Sequence, residues 1–313
     1  MTLSSLCIFT QITIFRDSFP EFMVDICCIG HITSDKVVTT HTVKYMPGGT
    51  AYYFSCALSN INVNYLLVTA LAPSEMHYVN DLRNKGINVS VQPSAHTVYF
   101  ENIYAEDQDQ RTQNVLQKAD AFTMEQLQTA EAKIFHLGPL LADDISTQLI
   151  SNLAKKGRVS LDVQGYLRKV QNKKVYAVDW PNKKEALQYV DIVKADEAEL
   201  QALTGFNQVK EGIKLLADWG VKEIVITNGS KGSLIYSDDI FYTIPAYQPK
   251  IVADATGCGD TYMAGYLYQR TKGVNIQQAG EFAAAMAGLK TETSGPFLGT
   301  EEDVMDFMTE RPL

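Results

Sequence analysis

The stretch D-A-T-G-C-G-D, Asp254 to Asp260, crowds two carboxylates, two glycines and a threonine into seven residues. The preceding segment KIVADA supplies a strand end, and the following TYMAGYLYQRTKG supplies a helical pattern. Gly257 and Gly259 let the backbone turn closely, so that amides at a helix N-terminus point at one anion. Asp260 falls in the first helical turn, where the dipole favours its charged form. An ionised carboxylate beside an anion cradle suits phosphoryl transfer. The amides hold the migrating charge while the carboxylate takes the acceptor hydroxyl's proton. A tight turn with an N-cap would use the same residues, and spacing alone leaves both readings open. The stretch is neither a P-loop, which needs G-x-x-x-x-G-K-S/T, nor a dinucleotide fingerprint, since GCGDTYMAG lacks G-x-G-x-x-G.

Positioning such a turn requires a scaffold, and the chain alternates strand and helix patterns. Short apolar runs ending at Gly, Asp or Pro predict strands at 24–30, 64–71, 132–139, 158–163, 190–196 and 222–229. Between them lie amphipathic stretches such as TAYYFSCALSNI, DISTQLISNLAKKG and VKEGIKLLADWG. The last two end at a glycine suited to a helix C-terminus. This alternation predicts a mainly parallel sheet covered on both faces, with ligands at the carboxyl ends of its strands. Segments at about 35–47 and 90–114 alternate with period two and predict antiparallel strands outside the main sheet, a small β-lid. Residues 1–22 differ from the rest of the chain: their apolar run is broken by Gln11 and Thr13, and core patterning starts at Met23. They read as an accessory extension rather than a secretory signal, ahead of one domain at 23–313.

DATGCGD resembles the D-T-x-G-A-G-D signature of the PfkB/ribokinase family of carbohydrate kinases, with Ala255 and Cys258 as departures. Further motifs occur in family order. Gly30 and Asp35 in IGHITSD resemble G-x-x-x-x-D, and Gly48-Gly49 in PGGTA resembles the substrate-side glycine pair. Asp196 and Glu199 in KADEAEL resemble N-x-x-E with Asp in place of Asn, and Thr227, Gly229 and Gly232 in TNGSKG resemble T-x-G-x-x-G. AAAMAGLKTETSG resembles the family's closing helix and adenine-side loop.

The resemblance covers roughly 24–313 and implies a ribokinase-like three-layer α/β fold using ATP and Mg2+. It implies Asp260 as general base, with Gly257, Cys258 and Gly259 as the anion hole. Asp254 and Thr256 would order that loop on the nucleotide side, with Thr256 near phosphate. Thr227, Gly229 and Gly232 would line the nucleotide. Glu199 would organise magnesium-bound water, with Asp196 adding charge beside it. Asp35, Gly48 and Gly49 would serve the acceptor. The reading GGTAYY departs from the ribokinase pattern G-G-x-x-A-N and, together with LDVQGYLR, is similar to the inositol-kinase-like branch. Tyr53 would stack on a ring or pack its helix, and Gln164 and Arg168 would wall the site. The implied acceptor is a sugar or cyclic polyol, myo-inositol first. A nucleoside kinase of the same fold, or a non-catalytic ligand sensor built on it, remain alternatives.

Composition narrows the partners. A net charge of −9 argues against nucleic acid, and no apolar run approaches a membrane span. Five cysteines without C-x-x-C spacing and five scattered histidines fit a reducing cytoplasm better than disulfides or a zinc site. Lid-mediated homodimers occur in the family, so a homodimer through the lid is compatible with this reading.

Overall fold

The computed structural model describes residues 23–39, 42–104 and 111–311. The proposed extension at 1–22 lies outside the described residues, as do 40–41 and 105–110 within the lid segments.

A nine-stranded sheet forms the centre. Its spatial order is Ile240–Ile244, Ser233–Ser237, Glu223–Thr227, Ile192–Asp196, Arg158–Asp162, Ala132–Leu137, Val24–Ile29, Tyr65–Leu71 and Asn88–Pro93. All but the 233–244 hairpin run parallel. The first strand shows why the sheet sits between helices. Ile26 and Cys28 point into one apolar cluster while Val24, Cys27 and Ile29 point into another, so both faces need cover. The helices Thr50–Leu58, Cys258–Thr271 and Ile276–Thr291 close one face. Thr147–Leu153, Glu197–Thr204 and Val209–Asp218 close the other. The chain grows from 24–29 toward 88–93, then returns to the other side of 24–29 at 132–137. That reversal makes a switch point, where crevices open at strand carboxyl ends.

A second sheet has six strands, ordered Arg168–Gln171, Lys174–Ala177, Arg111–Gln117, Val98–Tyr104, Thr33–Val38 and Val43–Gly48. It buries Val98, Phe100 and Val115 against Leu140 and Leu141. Three features differ from the sequence expectation. Residues 90–93 belong to the central sheet, pairing parallel with 68–71, because the apolar edge of Tyr65–Leu71 takes them up. The strands 33–38 and 98–104 pair in parallel rather than antiparallel, since the 50–93 region intervenes between them. The hairpin at 168–177 joins the lid, so the lid is larger than expected.

Candidate active site

The carboxyl ends of the central strands and the N-terminus of the 258–271 helix bring four charged side chains together. Asp162 ends one strand, Lys194 lies near the end of the next, and both are buried. Lys194 Nζ stands 2.9 Å from Asp162 Oδ2 and 4.0 Å from Glu199 Oε2. A β-carbon built on Gly259 would lie 3.3 Å from Lys194 Nζ, which places this ammonium against the 257–260 turn. Three carboxylates, Asp162, Glu199 and Asp260, therefore share one lysine.

That inequality sets their protonation. Burial, then the Asp162 charge, pushes the Asp260 carboxyl up to about 7, while Lys194 and a hydrogen bond with Thr50 oppose the rise. The helix dipole alone suggests a readily ionised group; burial among like charges wins instead. Asp162 goes the other way. Burial would raise it, yet Lys194 holds it below the usual carboxylate range. Glu199 is raised by burial and by Asp162. A carboxylate titrating near neutrality is suited to take a proton and release it again.

The turn itself is tightly held. Gly257 caps the helix at φ 75°, and a β-carbon there would stand 2.2 Å from Tyr53 Cδ1. The first helical bond runs from Thr261 N to Gly257 O at 2.9 Å, so the amides of Gly259 and Asp260 have no acceptor within the helix. The Cys258 amide, expected in the anion hole, instead donates to Ala255 O at 3.2 Å. Burial pushes the Cys258 thiol up to about 11, so it acts as a small packed side chain rather than a thiolate. Asp254 Oδ1 accepts from Thr256 N at 2.8 Å, and Oδ2 accepts from Gly295 N at 3.1 Å. Its carboxylate is thereby committed to the shape of the loop.

At the motifs expected to serve the acceptor, Asp35 receives the Thr33 hydroxyl at 2.6 Å. Gly48 lies opposite: a β-carbon there would fall 2.5 Å from Asp35 Oδ2, so only glycine leaves that carboxylate its place. Gly49 caps the 50–58 helix at φ 84°. Tyr53 is 4% exposed and packs edge-on to Tyr52, with Asp254, Asp35 and Asp260 all near enough to raise its hydroxyl further after burial. The Tyr53 ring lies against Gly257. Gln164 donates its backbone amide to Asp162 Oδ1 at 3.0 Å, whereas Arg168 opens the edge strand of the lid sheet.

A cavity of about 370 Å³ is lined by Thr227, Gly229, Gly232, Ala284, Ala287 and Gly288 among others. Cys258 and Gly259 also line it, so it opens onto the turn, while Asp254 and Thr256 do not. Gly232, at φ 90°, admits no side chain: a β-carbon would lie 2.1 Å from Ile244 O. Asp196 and Glu199 form a reciprocal capping box, Asp196 N to Glu199 Oε2 at 2.8 Å and Glu199 N to Asp196 Oδ1 at 2.7 Å. An aspartate serves that cap as an asparagine would. Among the described residues no three His, Cys, Asp or Glu side chains converge as a metal cage.

Sequence reasoning missed Lys194, Asp162, Thr50 and the buried Lys290. The first had a signal. A lysine inside the apolar run DIVKAD has no reason to be there unless a partner is buried with it.

A family model for pfkB family carbohydrate kinases matches residues 21–303. The chain belongs to that family. As a PfkB member it is a kinase that phosphorylates a hydroxyl acceptor. It is 28% identical over 269 residues to the cytidine kinase of Thermococcus kodakarensis, spanning 82% of this chain and 92% of that one. A pyrophosphate-dependent kinase of the ribokinase family, solved with a pyrophosphate analogue and myo-inositol, superposes with a TM-score of 0.79. That pair is 28% identical, covering 90% of this PfkB chain and 99% of the other. Arabidopsis thaliana ribokinase, solved with ribose and ATP, shares the fold at a TM-score of 0.75 and 20% identity, over 92% and 99% of the two chains.

Proposed function

We propose that this PfkB kinase transfers the γ-phosphoryl group of ATP to a hydroxyl of a cyclic polyol, with myo-inositol as the first acceptor to test. The observation that carries the donor assignment is the cavity beside the turn. Its lining includes Ala284, Ala287 and Gly288, small residues of the 276–291 helix that suit the flat face of a nucleobase. Pyrophosphate has no apolar part to bury there. The acceptor assignment rests on Asp35 beside the Gly48-Gly49 pair and on the likeness to the myo-inositol-bound kinase.

In this reading Asp260 accepts the proton of the attacking hydroxyl, while the Gly259 and Asp260 amides and Lys194 face the phosphoryl group in transit. Magnesium keeps several waters and needs only one or two carboxylates besides the phosphates. Glu199, whose Oε1 is not used by the capping box, fits such a water-mediated site. The ion would neutralise charge between the donor phosphates. A nucleoside acceptor is the second reading. The cytidine kinase relative favours it.

Exposed Val43, Tyr45 and Tyr176 on the lid sheet support a homodimer through it. No helix among the described residues is long and apolar enough to cross a membrane. Cys27, Cys28, Cys56 and Cys258 are free thiols, which supports a cytoplasmic setting.

The deciding experiment crosses two donors, ATP and pyrophosphate, with a panel of cyclitols, sugars and nucleosides, reading phosphorylated product by mass. Turnover with pyrophosphate above that with ATP would overturn the donor assignment. A nucleoside with the highest kcat/KM would overturn the polyol.

A further inference from the structure

The anion turn has a second buried cation that the reaction as described leaves unused. Lys290, on the 276–291 helix, has no exposed surface. A lysine is almost never fully buried unless paired. Its Nζ donates to the carbonyl oxygen of Asp254 at 2.7 Å and stands 3.6 Å from Asp254 Oδ2. Asp254 is the first residue of the turn. Its neighbourhood is stitched to the same helix end, since Ala253 N and Asp254 N both donate to Thr291 O, at 2.8 and 3.3 Å. The charge of Lys290 is felt inside the turn: burial raises the Cys258 thiol, and Lys290 opposes that rise.

We infer that Lys290 is a positioning residue for phosphoryl transfer, a tethered cation behind the anion turn that holds Asp254 and adds positive potential where donor phosphates bind. The inference rests on the donor site proposed above. Core packing needs no ammonium at this place, and an apolar side chain would fill it without the cost of burying charge. What the ammonium supplies is a donor and a charge directed at the backbone of the turn.

Two variants test it. Lys290→Gln keeps a hydrogen-bond donor for Asp254 O and removes the charge. Lys290→Ala opens a cavity the size of the lost side chain. Donor affinity by calorimetry, kcat and both KM values are read together with thermal melting. For Lys290→Gln the expected result is a donor Kd and KM raised about ten-fold, with acceptor KM within about two-fold, a split that general loosening would not produce. For Lys290→Ala, added methylammonium chloride should restore part of the turnover, while tetramethylammonium at equal ionic strength should not. If Lys290→Gln binds and turns over donor as the wild type does, the inference fails. It also fails if both salts act alike. Because donor binding is read directly, a weakened donor Kd supports the inference even if Asp260 proves not to be the base. Wild-type preference for pyrophosphate would fault the ATP reading alone.

Discussion

The ring of Tyr53 fills the space behind Gly257, where a β-carbon would stand 2.2 Å from Tyr53 Cδ1. The helix that begins after the Gly48-Gly49 pair thus touches the turn at 257–260. Gly257 is also at φ 75°, where a side chain costs about 1–2 kcal/mol by itself. Gly257→Ala should therefore lower the melting temperature by roughly 2–8 °C and reduce kcat by more than about ten-fold as the turn is displaced. Adding Tyr53→Ala should recover part of the loss, because it removes the clash and leaves the backbone strain. Wild-type turnover in Gly257→Ala would show that the turn tolerates displacement.

Asp260 should govern the acid side of the rate profile. With its carboxyl at about 7, kcat should rise as pH passes through that value and level off above it, because the base acts only when ionised. Asp260→Asn should lose ~10²–10⁴-fold in kcat and leave donor affinity nearly unchanged. Stability should move the opposite way. A carboxyl raised in the folded state binds a proton there that the unfolded chain has released, so its stabilising contribution declines from acid pH toward 7. Asp260→Asn should melt above the wild type at pH 8, with a smaller difference at pH 5. A variant that keeps more than about a tenth of wild-type kcat would remove Asp260 from the role of base.

Lys194 restrains that same carboxyl, so Lys194→Met should move the acid limb of the profile to higher pH. It also leaves Asp162 buried without its 2.9 Å partner. Breaking one side of a buried pair typically costs about 3–5 kcal/mol. The double variant Lys194→Met/Asp162→Asn should recover much of the melting temperature. No displacement of the limb in the folded single variant would show that Lys194 does not act on Asp260.

Asp35 should separate acceptor from donor binding. Its place opposite Gly48 and beside Thr33 suits a carboxylate that accepts bonds from neighbouring hydroxyls. A hydroxyl left unpaired costs about 1–3 kcal/mol, so Asp35→Ala should raise the acceptor KM by roughly ten-fold or more. Donor KM should change little. Equal effects on both constants would mean that Asp35 shapes the lid rather than the acceptor site.

The parallel strands and the glycine turn at 257–260 were legible in the amino-acid sequence because each is written locally. A strand buried on both faces must be a continuous apolar run, and a helix-capping turn at φ 75° needs a glycine such as Gly257. The lid was only half legible. Its strands are short, polar on one face and drawn from separate regions of the chain, so whether 88–93 joins the central sheet and 168–177 joins the lid depends on which remote edge is open. The chemistry of the site depended on the tertiary structure most of all. Asp260 reads as an ordinary ionised first-turn carboxylate until Asp162 and Glu199 are buried beside it with Lys194 as their shared counter-charge. Periodicity records only near neighbours along the chain, whereas desolvation and charge pairing are set by side chains that meet when distant strands and helices close over them.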